Sequence, residues 1–173
     1  MISMSLTTQI SEDSDMAFPA KGSAVRAEEK KIHDINQHVW ILQNKHLITS
    51  KGNRVTPVIL KMIPCRNEDS LEKNKGKCIY IGIKDHKLCL CCENKEPATL
   101  KLEDKDIMDL YKSEKAQKPF VFYYKKTGNT STLESAACPG WFICTSNKIG
   151  EPVKMTKNVG EGNNIDFYLR STH

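Results

Sequence analysis

"ESAACPGWFICTS", residues 134–146, sets a Pro-Gly pair between two strand-like runs, "TSTLESA" and "WFICTS". Pro139 fixes its own φ, and Gly140 tolerates a positive φ that other residues resist, so the pair marks a chain reversal. The stretch therefore reads as the corner of a hairpin, with no catalytic chemistry in it.

The rest of the chain repeats that rhythm. From Ile35 onward the apolar pattern is short and repeatedly of period two, in "HVWIL", "HLITS", "PVILKMI", "CIYIGI", "LCLCC", "ATLKL", "PFVFYY", "TSTLESA", "GWFICTS", "EPVKMT" and "IDFYLR". Eleven such runs, separated by Asn, Gly, Lys and Pro, predict an all-β barrel or sandwich. Ile79, Ile81 and Ile83 share one strand face, as do Ile165, Phe167 and Leu169, and both triplets are expected in the core. One segment breaks the period: in "LEDKDIMDLYKSEKAQ", Asp104 is placed to cap a short helix whose Ile107, Leu110 and Tyr111 fall on one side.

A chain of 173 residues, 39% apolar, is long enough to bury one core without crosslinks. Residues 1–31 mix Ser, Ala, Asp, Glu and Lys without a sustained apolar period and read as a flexible N-terminal tail or propeptide; residues 32–173 read as the folded domain. The net charge of +5 is mild, and the body from Ile32 carries 22 basic against 16 acidic residues. That excess fits an acidic partner but falls short of a nucleic-acid signature. No apolar run reaches the roughly 18 residues of a membrane span, and the N-terminus lacks the basic and apolar regions of a secretory signal. A soluble monomer made in the cytoplasm is expected.

The seven cysteines, Cys65, Cys78, Cys89, Cys91, Cys92, Cys138 and Cys144, are odd in number and embedded in strands, so free thiols and no native disulfide are expected. "LCLCC" could present two thiolates to zinc, but structural zinc sites pair two Cys-x-x-Cys turns and no second pair exists here. Core thiols are the better reading. The five histidines, His33, His38, His46, His86 and His173, sit at strand edges, turns or a terminus, and none is marked as a general base. With no Gly-x-Ser-x-Gly elbow, phosphate loop or His-Glu-x-x-His, the sequence predicts no enzyme, metal or cofactor. "YYKKTGNTS" and "EKNKGK" could meet nucleic acid or sulfated sugar, yet short charge runs usually lie on solvated hairpins.

"LESAACPGWFICT", followed after seven residues by Val153, resembles the signature of the interleukin-1 cytokine family, with Leu133 where Phe or Cys is expected. "DINQHVWILQ", "PVILKMIPCR", "IYIGIKDHKLCLCC", "LKLEDKDIMDLY" and "KPFVFYYKKTG" are similar in order and spacing to the interleukin-36 subgroup, over roughly residues 32–170. The "IMDLY" and "VWILQ" runs resemble the agonists most; "PGWFICTS" and "EPV" are also similar to interleukin-37. The resemblance implies a β-trefoil of twelve strands in three pseudo-repeats with one short helix, "DINQ" supplying the first strand. It places Pro139 and Gly140 at the corner between the ninth and tenth strands, in a structural role.

What the resemblance implies about function is binding. A pro-inflammatory cytokine of this kind binds the interleukin-36 receptor ectodomain and recruits the interleukin-1 receptor accessory protein, driving NF-κB and MAP-kinase signalling after export by an unconventional route. The loops 66–77 and 157–164 are the implied contacts, with Lys73, Lys75 and Glu161 as candidates. The agonists resemble one another in N-terminal trimming by an extracellular protease nine residues before an apolar-x-Asp motif. Here "IHD", residues 32–34, places the cut between Gly22 and Ser23. Two other readings are a receptor antagonist or suppressor of the same fold, and a heparin-binding trefoil growth factor using the basic body.

Overall fold

The computed structural model describes residues 25–53, 55–66 and 71–172. Thirteen strands follow one another: β1 (Glu28–Asp34), β2 (Val39–Gln43), β3 (His46–Ser50), β4 (Ile59–Pro64), β5 (Lys77–Ile83), β6 (Leu88–Glu93), β7 (Thr99–Asp104), β8 (Val121–Thr127), β9 (Thr130–Ser135), β10 (Phe142–Ser146), β11 (Lys154–Thr156), β12 (Asn163–Asn164) and β13 (Phe167–Ser171). Among the described residues one α-helix, α1 (Ile107–Lys112), lies between β7 and β8.

Six strands close on themselves. β1 pairs with β4, β4 with β5, β5 with β8, β8 with β9, β9 with β13, and β13 returns to β1, every pair antiparallel. Closure leaves this ring without a free edge. The hairpins β2–β3, β6–β7 and β10–β11 hang from the ring and cap one end. Two of them are tied together, because Thr49 N donates to Glu151 O and Val153 N to Leu47 O, both at 2.9 Å. Each third of the chain thus gives two ring strands and one hairpin, which is a β-trefoil. β12 is an addition of two residues on β10.

The first strand lies upstream of where the sequence reading put it. It begins at Glu28, within the segment read as tail, and Lys30 is buried with its ammonium 3.5 Å from the Glu28 carboxylate. Of "DINQ", Asp34 ends β1 and the residues after it form a turn. The buried Asp34 carboxylate accepts from Asn36 N at 2.8 Å, His38 N at 3.0 Å and Thr145 Oγ1 at 2.6 Å, so its side chain bonds to the turn and to β10 rather than to solvent. A residue that looks like a polar strand position by sequence is the anchor of a corner.

The barrel interior takes Ile32, Leu60, Ile79, Ile81, Ile83, Phe122, Leu133 and Phe167, with Trp40, Leu90 and Ile143 from the caps. Phe167 meets Trp40 edge to face at 5.5 Å, a favoured aromatic geometry. Of the second predicted triplet, Phe167 and Leu169 are buried and Ile165 is half-buried. β5 is covered on both faces, because Cys78 and Tyr80 point outward into a second apolar cluster that also holds Ile63, Leu71, Cys89, Ile107, Leu110, Val121 and Tyr123. α1 covers this cluster with Ile107 and Leu110. Its cap is Asp106, whose carboxylate accepts from Met108 N at 2.9 Å, rather than Asp104, which ends β7 and pairs with Lys45.

Candidate functional site

The corner after β9 is where the two implied contact loops meet. Glu134, near the end of β9, is nearly buried, and its Oε2 accepts from Gly140 N at 2.8 Å and from the Lys75 ammonium at 3.1 Å. Gly140 has φ 86, the left-handed conformation that the corner needs and that glycine adopts without penalty. Ser135 Oγ accepts from Cys138 N at 2.9 Å, and Trp141 N donates to Cys138 O at 3.1 Å, so the corner is internally bonded.

Lys75 ties the 66–77 loop to that corner. Its ammonium lies also 3.5 Å from Glu72 Oε2 and 5.8 Å from the centre of the Tyr123 ring. The Glu134 hydrogen bond holds the Lys75 pKa above the ordinary lysine value. Tyr123 Oη in turn accepts from Glu72 N at 3.1 Å. The turn Lys73–Lys75 is a single 3-10 turn, followed by Gly76 at φ 119, where a Cβ would lie 2.5 Å from the Tyr124 carbonyl oxygen. Only glycine fits so close to that backbone. Leu71 drops into the second apolar cluster, and Arg66 sits over the Tyr111 ring at 5.5 Å. Held in this way from below, the loop displays Lys73 to solvent.

The second loop reaches the same corner from the other side. Lys157 lies over the Trp141 ring at 5.3 Å. β12 pairs with β10 through Asn163 opposite Ser146 and Asn164 opposite Thr145, and Asn163 Nδ2 donates to Asn158 O at 3.2 Å. Glu161 is exposed at the tip, beside the exposed Val159. Of the three residues singled out from the sequence, Lys73 and Glu161 face solvent, whereas Lys75 is engaged in the clamp with Glu134.

Sequence reasoning missed Glu134 and Trp141 as organisers of this surface. The signal was present: one carboxylate inside an otherwise uncharged strand and corner run has to be paired if buried. Its partner, 59 positions upstream, was not legible. The predicted cut between Gly22 and Ser23 lies outside the described residues. The first described residues, Val25 and Ala27, pack on the second apolar cluster, the one that contains Leu71 of the 66–77 loop.

The other candidates for chemistry are placed apart. Cys89 lies in the second cluster, its Sγ donating to Lys105 O at 3.3 Å, while Cys92 lies in the main core. Burial pushes the Cys89 thiol up to about 12 and the Cys91 thiol to about 11. His33 stacks on Tyr168 at 4.8 Å, and burial followed by the nearby Arg170 lowers its pKa. Among the described residues no three His, Cys, Asp or Glu side chains are grouped to hold a metal.

Known proteins resemble this chain over most of its length. The family model Interleukin-1 / 18 matches residues 49–169. Human interleukin-36 alpha is 42% identical over 144 residues, covering 82% of this chain and 91% of its own. Mouse interleukin-36 beta is 40% identical over 152 residues, 87% of this chain and 83% of its own. The human interleukin-1 receptor antagonist protein is 30% identical over 148 residues, 83% of this chain and 78% of its own. Among solved structures, the NMR structure of the pro-inflammatory cytokine interleukin-36alpha aligns with TM-score 0.70 at 38% identity, covering 87% of this chain and 99% of that one. Chicken interleukin-1 beta aligns with TM-score 0.73 at 28% identity, covering 84% and 97%. These relatives are cytokines and a receptor antagonist. The chain belongs to the interleukin-1 family, as an interleukin-36-like cytokine with the β-trefoil fold.

Proposed function

We propose that this chain is an agonist that docks on the interleukin-36 receptor ectodomain, recruits the interleukin-1 receptor accessory protein and so drives NF-κB and MAP-kinase signalling from outside the cell. The observation that carries the reading is the convergence of the 66–77 and 157–164 loops on one corner, Glu134 gripping one and Trp141 the other. The described segments 71–77 and 157–164, tied to one corner through Lys75 and Lys157, form a pre-organised surface, which lowers the ordering cost of binding. Lys73 and Glu161 are exposed on it and opposite in charge, alongside the exposed Glu72 and Lys157. Lys75 acts through position, by setting where Lys73 stands. The higher identity to interleukin-36 alpha and beta favours agonism over the antagonist reading, which the 30% match to the receptor antagonist keeps as the second one.

Trimming between Gly22 and Ser23 belongs to the same reading. It would create a terminus just ahead of Val25, which packs on the cluster beneath the 66–77 loop. A long tail there obstructs docking or adds an ordering cost. The test is an NF-κB reporter in cells carrying the interleukin-36 receptor, with and without the accessory chain, using the full chain and a chain starting at Ser23. The shorter form is expected to be more potent by at least about tenfold, and the response to vanish without the accessory chain. A K73E/E161K double variant is expected to lose about tenfold in potency. A silent protein that blocks a known agonist would establish the antagonist reading instead.

A further inference from the structure

Two of the seven cysteines touch. Cys92 Sγ on β6 lies 3.2 Å from Cys138 Sγ in the corner between β9 and β10, and both residues are buried. Forming a disulfide bond of about 2.05 Å requires the sulfurs to close by only about 1.1 Å. Both thiols also reach the Glu93 carbonyl, at 3.9 Å from Cys92 and 3.7 Å from Cys138. The Ser135 hydroxyl bonded to Cys138 N keeps the corner backbone in place, so the pair is held rather than met by chance.

The pair lies at the edge of a surface groove. A groove of about 600 Å³ is lined by Cys91, Cys92, Glu93, Lys105, Phe120 and Ala137, and so runs past Cys92 and the residue preceding Cys138. We infer that Cys92 and Cys138 form a redox site that a peroxide-class oxidant converts to an internal disulfide. Cys92, which lines the groove, attacks one peroxide oxygen through its thiolate; the O–O bond breaks, leaving a sulfenic acid and one water once protons are counted. The Cys138 sulfur then attacks the Cys92 sulfur, the S–O bond breaks and a second water leaves. Two thiols lose two electrons and two protons, and one peroxide becomes two waters.

Burial pushes the Cys92 thiol up to about 12, so little thiolate is present at neutral pH and the first step is slow. The protein stays reduced where thiols are abundant, in keeping with the expectation of no disulfide in the protein as made. The bond would join β6, in the second third of the trefoil, to the corner that grips both surface loops, and closing a loop of 46 residues removes much of the unfolded chain's freedom.

The experiment titrates the reduced full-length chain with hydrogen peroxide at neutral pH, followed by alkylation, intact mass and peptide mapping. The expected result is the loss of two hydrogens, a linked Cys92–Cys138 peptide pair that dithiothreitol reverses, and an unfolding temperature raised by about 5–10 °C. C138S is expected to stop at a Cys92 sulfenic acid that dimedone traps, with no gain in unfolding temperature; C138A replaces it should the serine be poorly accommodated. Both cysteines still alkylatable at doses that oxidise the methionines, or a link through any other cysteine or between molecules, would overturn the inference. So would a linked protein that melts no higher than the reduced one.

Discussion

At the scale of the residue, Glu134 does more than its neighbours in sequence suggest. Its carboxylate gathers the Gly140 amide and the Lys75 ammonium, and so joins a corner to a loop that begins after β4. Truncation leaves a buried ammonium-facing gap and an unpaired amide. Glu134→Ala is expected to cost about 1–3 kcal/mol in urea unfolding and to make the 66–77 loop easier to cleave in limited proteolysis. A change below about 0.5 kcal/mol would show the clamp to be incidental. The pH dependence follows from the raised Lys75 pKa. Its contribution is complete below the unfolded lysine value of about 10.4 and is lost as pH rises through the higher folded value. The difference between the variant and the parent should therefore persist at neutral pH and shrink in strong alkali. Glu134 was visible in the sequence as a lone carboxylate in an uncharged run; its partners were not, because a salt bridge across distant positions leaves no local pattern.

At the scale of the element, α1 shows how close a local reading comes and why it stops short. The apolar spacing of Ile107 and Leu110 gave the helix and its buried side, and both residues do cover the second cluster. The cap was read two residues early. Asp104 and Asp106 are both acceptable caps by type, and the choice falls to Asp106 because β7 pairs with β6 as far as Asp104, opposite Leu88. Asp106→Ala is expected to cost about 1 kcal/mol by thermal unfolding. Asp104→Ala, which removes an exposed ion pair with Lys45, should change stability by less than about 0.5 kcal/mol. The reverse order would return the cap to Asp104. β1 was missed for a related reason: its "EEKK" half is charged, and only pairing with β4 and β13 makes a strand of it.

At the scale of the whole molecule, stability rests on a core to which all three pseudo-repeats contribute. Phe167 from the last ring strand fills the barrel against Trp40 from the first cap. Phe167→Ala should cost about 3–5 kcal/mol, a large share of the 5–15 kcal/mol typical of a domain, and should collapse the near-UV dichroism of the buried aromatics. Ile149→Ala, at an exposed position, is the matched control and should stay within about 0.5 kcal/mol. An unchanged urea midpoint for Phe167→Ala would mean that the barrel interior is not the cooperative core.

The alternation of apolar residues determined by itself that this chain is built of short strands, because period two and burial of one face are the same fact seen along the chain. The Pro-Gly corner was equally local, since the conformational limits of those two residues act within a few positions. Ring closure was decided only in three dimensions: β13 must turn from β9 to β1, whose residues lie more than a hundred positions upstream of their partners. The same holds for the surface where the loops meet and for the contact of Cys92 with Cys138. Each is fixed by barrel geometry bringing together groups whose chemistry the sequence names and whose distance it does not encode locally.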